Sequence, residues 1–118
     1  MSISMFLKKR REKRLAKQRH NRKHFILEQI YKLKEEAAKL NASAQSSKRS
    51  AEETKAYVSI RQREAANGDW TSSVHLSCYL DGYLKKVQQY ENDYATFNQQ
   101  YLNTLDKINR LEEELKSL

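Results

Sequence analysis

Residues 37–51, AAKLNASAQSSKRSA, and residues 87–101, VQQYENDYATFNQQY, decide the fold between them. At steps of three and four, the first stretch offers Ala37, Leu40, Ala44, Ser47 and Ala51, and the second offers Val87, Tyr90, Tyr94, Phe97 and Tyr101. Steps averaging about 3.5 residues mark helices that wind round one another. One set of side chains is small and the other is aromatic. Folding the chain at Asn67-Gly68 lays the two sets side by side in antiparallel order. Because two α-helices rise equally per residue, facing positions then sum to roughly 137 or 138. Ala37 faces Tyr101, Ala44 faces Tyr94, Ser47 faces Tyr90 and Leu40 faces Phe97. Small against large fills an interface at the usual separation of roughly 8–10 Å. Alanines present merely as good helix formers would not need such partners.

Both seams extend outward from these stretches. The first adds Ile26, Ile30 and Leu33 on one side and Thr54, Val58, Arg61 and Ala65 on the other. The second adds Leu80 and Leu84 before it and Leu105, Ile108, Leu111, Leu115 and Leu118 after it. Leu33 then faces Leu105, and Ile30 faces Ile108. The expected fold is all-α: a two-helix antiparallel coiled-coil hairpin with a basic N-terminal helical overhang. Residues 1–24 form the arm, 25–66 the first helix (continuous with the arm), 67–70 the turn and 71–118 the second helix. Asn67-Gly68-Asp69 is the strongest turn signal, since Asn and Gly accept positive φ. Asp69, Thr71 and Ser72 are alternative caps for the second helix. Glu28–Lys32, Glu35–Lys39, Asp81–Lys85 and Glu112–Lys116 are spaced for favourable ion pairs on exposed faces. Gly82, inside the second helix, marks either a close approach or a local bend, at a cost of about 1 kcal/mol relative to Ala.

Composition agrees with a seam rather than a globular core. The 118 residues include no proline, the commonest helix breaker, and two glycines. Charged residues make up 32% and mean hydropathy is −0.97, as expected when little surface is enclosed. A two-helix chain of this size encloses no sizeable cavity, so no enzyme and no cofactor are expected. A lone cysteine, Cys78, excludes an intrachain disulfide and suits a reducing compartment. No apolar run approaches the roughly 20 residues needed to span a bilayer. The apolar opening, Met1 to Leu7, is brief and precedes its charges, which is the wrong order for a secretory signal. The cytosol is the expected location.

The formal charge of +8 is concentrated at one place. Residues 8–24 hold ten Lys or Arg, namely Lys8, Lys9, Arg10, Arg11, Lys13, Arg14, Lys17, Arg19, Arg22 and Lys23, against Glu12. The hairpin register sets Glu112, Glu113 and Glu114 beside Arg22, Lys23 and His24. There the acidic helix end and the basic helix start offset each other's conflict with the macrodipole. Residues 1–18 face nothing, and basic residues disfavour an isolated helix start, so the arm is expected to fray until it meets an acidic partner. His20, His24 and Glu28 share one helix face at metal-ligand spacing, but the surrounding cations repel a metal, and a solvated polar face is the better reading. His75 with Cys78 is a weaker pairing still. No phosphate loop, nucleophile–base pair or carboxylate pair is present. The arm also suits non-specific DNA or RNA. With Phe6 and Leu7 it suits a membrane surface as well. It is no leucine zipper: its adjoining seam is alanine-rich, and the Asn-x-x-Ala-Ala pattern is missing.

Tyr57, Trp70, Tyr79 and Tyr83 gather near the turn, and Tyr79 and Tyr83 are one helical turn apart. Aromatics flanking a half-exposed seam read either as a protein-binding stripe or as extra packing. The charged start, long first helix, Gly-containing turn Asn67-Gly68-Asp69-Trp70, the stretch Tyr79-Leu-Asp-Gly-Tyr83-Leu84 and the pair Gln88-Gln89 together resemble the FliJ/YscO family. Its members are central-stalk proteins of bacterial flagellar and virulence type III secretion. The resemblance covers nearly the whole chain and rests on architecture. It implies a hairpin similar to that of a rotary ATPase γ subunit, docked in a hexameric secretion ATPase and reaching an export-gate protein. It also implies escort of export chaperones, and a place in the bacterial cytoplasm at the inner-membrane apparatus. On that reading Lys8, Lys9, Arg10, Arg11, Lys13, Arg14 and Lys17 dock the ATPase by charge. The partner-binding tip is Tyr57, Trp70, Tyr79, Tyr83 and Tyr90. The alternative is a nucleic-acid-binding coiled coil that uses the same arm.

Overall fold

The computed structural model describes residues 2–68 and 73–118, with the side chains of Ser73 and Val74 excepted. Trp70 and the three candidate caps Asp69, Thr71 and Ser72 lie outside the described residues. The fold is all-α, an antiparallel hairpin of two helices, α1 (Ile3–Ala66) and α2 (Ser73–Ser117). The helices run 64 and 45 residues, and packing of their apolar stripes against each other supplies most of their stability.

Contacts group the chain into two units. One joins Met1–Ala37 to Asn103–Leu118, and the other is Ala38–Leu102. In the first, Ile26, Ile30 and Ile108 are buried, and Ile26 is fully enclosed at 0% exposure. Arg22 reaches Glu114, with Nε and Nη2 at 2.9 and 2.5 Å from Oε1. Lys34 Nζ lies 3.8 Å from Glu112. The latter contact replaces the expected Glu112–Lys116 pair: Glu112 turns toward α1, and Lys116 holds Glu113 at 3.1 Å instead. In the second unit Lys48 lies over the Tyr94 ring, Lys55 pairs with Glu91, and Tyr57 meets Tyr79 and Tyr83. Partner numbers fall on α2 as they rise on α1, which is antiparallel order. Asp81–Lys85 forms within α2 at 3.1 Å.

Each position of the α1 seam from Ile26 to Ala65 is buried or half-buried. Ala37, Ala44 and Ala51 are among the most enclosed residues, Ala44 at 0% exposure. The α2 seam departs from expectation at Leu84, and Thr104 joins it beside Leu105. Leu84 is 50% exposed and Tyr83 is the half-buried residue. Leu105 is half-buried while Thr104 is buried at 4%. The cause is helical phase. Buried Leu76, Leu80 and Val87 admit one intermediate position on the stripe, and residue 83 keeps the three–four alternation. Leu84 sits about 100° further round the helix. The same alternation between Tyr101 and Ile108 selects Thr104.

The arm is α-helical from Ile3 onward and continuous with the rest of α1, the helical overhang expected from the sequence. Ser2 caps it, its Oγ accepting from the Met5 amide at 3.3 Å and its carbonyl from the Phe6 amide at 3.2 Å. α1 closes at Ala66, where the Asn67 amide bonds to the Arg63 and Glu64 carbonyls and the Gly68 amide to that of Ala65. Gly68 has φ of 87°, the left-handed conformation that ends a helix cheaply in glycine.

Candidate partner-binding surfaces

Within the second unit, Val58, Leu76 and Leu80 form a small apolar cluster with Ala65 and Tyr83 packed against it. Tyr57 precedes Val58, Tyr79 precedes Leu80, and Tyr83 follows one turn later. The helical phase that buries Val58 and Leu80 therefore carries Tyr57 and Tyr79 to one flank of the seam. There the Tyr57 and Tyr79 hydroxyls approach to 2.6 Å. The Tyr83 ring lies 4.8 Å from that of Tyr57 and 5.6 Å from that of Tyr79, tilted against both. Tilted rings at such distances are favourably arranged, edge charge against face charge.

A cationic border surrounds the rings. The Arg61 guanidinium lies 5.0 Å from the centre of the Tyr57 ring, and Lys86 Nζ lies 5.6 Å from that of Tyr83. Arg61 Nη1 donates to Glu64 Oε2 at 2.5 Å, while its buried Nε has no hydrogen-bond partner. The Glu64 contact, then that of the Tyr57 hydroxyl, holds the guanidinium even more firmly protonated than usual.

The two hydroxyls divide their acidity unequally. Tyr57 is held below the ordinary tyrosine range, first because of its hydrogen bond with Tyr79, with Tyr83 and Arg61 acting in the same direction against the effect of burial. Tyr79 is pushed up, first because ionisation would sacrifice its bond to Tyr57, then by Tyr83 and by burial. This is the pattern of Tyr79 donating to Tyr57. Tyr79 is 42% exposed, so the edge of the cluster is accessible from solvent.

The structure thus brings Tyr57, Tyr79 and Tyr83 together, with Tyr83 serving the seam as well as the cluster. Tyr90 lies seven residues beyond Tyr83, half-buried at its own seam position. Arg61 and Glu64 belong to this surface, and sequence reasoning did not place them there. The available signal was the four-residue spacing of Tyr57 and Arg61, which puts them on one helix face. Cys78 is exposed beside Tyr79.

The second surface is the start of α1. Every side chain from Ser2 to Arg22 is exposed, including Lys8, Lys9, Arg10, Arg11, Lys13, Arg14 and Lys17. Ile3, Met5, Phe6, Leu7 and Leu15 are exposed among or before them. Among the described residues, no group of three or more His, Cys, Asp or Glu is placed to hold a metal, and no helix is long and apolar enough to cross a membrane. Comparison of the chain with protein-family models, curated proteins and solved structures finds no match.

Proposed function

We propose that this protein is a non-enzymatic adaptor of a type III secretion apparatus, a stalk-like hairpin that couples a hexameric secretion ATPase to an export-gate protein and escorts export chaperones. The observation that carries the reading is the helical, fully exposed cationic start of α1. A helix whose first turns crowd positive charge against its own positive dipole end gains most from an acidic partner. The Tyr57–Tyr79–Tyr83 cluster supplies a second surface of different chemistry, aromatic and hydroxyl-bearing, for the gate. Such a protein acts by biasing the conformations of what it binds.

Two measurements test this. The full chain should co-purify with the secretion ATPase of its own cell, and replacing Lys9, Arg10, Lys13 and Arg14 with Glu should abolish the complex. Tyr79→Ala should stop secretion while the chain remains helical at the assay temperature. Tyr79 is the clean choice because Tyr83 packs into the seam, so its removal also costs stability. Normal secretion by Tyr79→Ala removes the gate surface. Tight, salt-steep binding to DNA or RNA without ATPase binding transfers the arm to the nucleic-acid reading.

A further inference from the structure

We infer that the start of α1 is a docking site for a bilayer bearing anionic phosphate headgroups. The inference stands apart from the adaptor reading, since it concerns residues that an acidic protein socket does not require. The decisive observation is the order of the side chains along the helix. Ile3, Met5, Phe6 and Leu7 come first and are all exposed, Ile3 at 80%. Lys8, Lys9, Arg10, Arg11, Lys13 and Arg14 follow immediately, interrupted by Glu12.

This is not the pattern of a helix lying flat on a membrane. At 100° per residue, Met5 points away from Ile3 and Leu7, and the cations surround the helix rather than sharing one side. The polarity changes along the axis instead. A bilayer is layered in the same sequence, hydrocarbon first and phosphate next. At about 1.5 Å per residue, residues 3–7 occupy roughly 6 Å of axis and residues 8–14 roughly the next 10 Å. An interfacial helix sinks its apolar side roughly 5–10 Å below the headgroups. With the first turn at that depth, the following two turns place their cations level with the phosphates, and the longer side chains can bend back to reach them.

Bringing a helix start out of water exposes unpaired amides to a poor solvent. The Ser2 hydroxyl lessens that cost by accepting from the Met5 amide. Nucleic acid would use the cations but has no use for four exposed apolar side chains ahead of them. Lipid and an acidic protein draw on the same cations, so the two exclude each other on one molecule.

The test is co-sedimentation of the full chain with phosphatidylglycerol-containing vesicles and with pure phosphatidylcholine vesicles, at low and at high salt. Binding is expected to the anionic vesicles alone and to be weakened by salt. Neutralising Lys9, Arg10 and Lys13 to Gln should lower the partition constant about fivefold per residue. The double substitution Phe6→Ser, Leu7→Ser should lower it by more than roughly tenfold, because two half-exposed large apolar side chains lose their burial in lipid. Circular dichroism should show both variants folded, since these side chains contact solvent. Equal binding to both vesicle types overturns the proposal. So does anionic binding that ignores Phe6→Ser, Leu7→Ser, which would be charge adhesion alone. Binding to duplex DNA or RNA at a salt concentration that leaves the vesicles bare overturns it in favour of a nucleic-acid surface.

Discussion

Replacing Ala44 with leucine tests whether the alanines of α1 are enclosed against α2 or are simply good helix formers. Ala44 is 0% exposed, whereas Ala42, two residues earlier on the same helix, is exposed. The two substitutions add the same three carbons and cost the same few tenths of a kcal/mol in helix propensity. Their difference therefore isolates the interface. At position 44 the added atoms must displace the opposite helix or force strained rotamers, which costs about 1–3 kcal/mol. At position 42 they enter solvent, and the effect should stay within about 0.5 kcal/mol. For a chain of this length 1 kcal/mol shifts the melting temperature by about 4 °C, so Ala44→Leu should melt about 4–12 °C lower and Ala42→Leu within about 2 °C of the parent. Thermal and urea melts followed at 222 nm measure both. Adding Tyr94→Ala to Ala44→Leu should recover part of the loss, with a coupling energy of about 0.5–3 kcal/mol between the two sites. Equal shifts for Ala44→Leu and Ala42→Leu would refute the reasoning, because they would make the alanines propensity residues and the register accidental.

Three further outcomes follow from particular residues. Gly68→Ala should destabilise by about 1 kcal/mol because φ is positive there. Gly82→Ala should stabilise by up to about 1 kcal/mol, since a Cβ at that site meets nothing within 4 Å; chemical denaturation compares the two. In alkaline titration followed by phenolate absorbance, Tyr57 should ionise below the ordinary tyrosine range and Tyr79 above it. The raised Tyr79 pKa favours the folded state while that phenol is protonated, and the benefit disappears as pH rises through it. Tyr79→Phe should return Tyr57 toward the ordinary tyrosine value of about 10. Arg22→Ala should cost less than about 1 kcal/mol and nothing measurable in high salt, because the Arg22–Glu114 pair is largely exposed.

Much of the fold could be read from side-chain spacing, and the misreadings share one origin. The α1 seam keeps a strict alternation of four and three from Ile26 to Ala65, and that phase leaves Phe25, Leu27, Tyr31 and Ile60 exposed. In α2, Leu84 is the more apolar neighbour, yet Tyr83 holds the half-buried position, and Thr104 is buried beside half-buried Leu105. The geometry of the coil prefers constant phase, and it buries a threonine while exposing a leucine. The expected fraying of the arm rests on the conflict of its charges with the helix dipole, a surface effect of a fraction of a kcal/mol per charge, and the Ser2 cap acts against it. The tyrosine cluster was legible as a neighbourhood, because the turn at Asn67-Gly68 and the seam place Tyr57 near Tyr79. Its hydroxyl pairing and the Arg61 contact were not, since they depend on which flank of the seam each side chain occupies.

The tyrosine surface presupposes that α1 and α2 of one chain run antiparallel with Lys55 beside Glu91. The most direct measurement is cross-linking of a Cys78→Ser chain carrying Lys55→Cys and Glu91→Cys with a short bis-maleimide at low protein concentration. The account predicts a cross-linked monomer, formed in high yield and unchanged by dilution. A product found only as a cross-linked dimer, and lost on dilution, would contradict it.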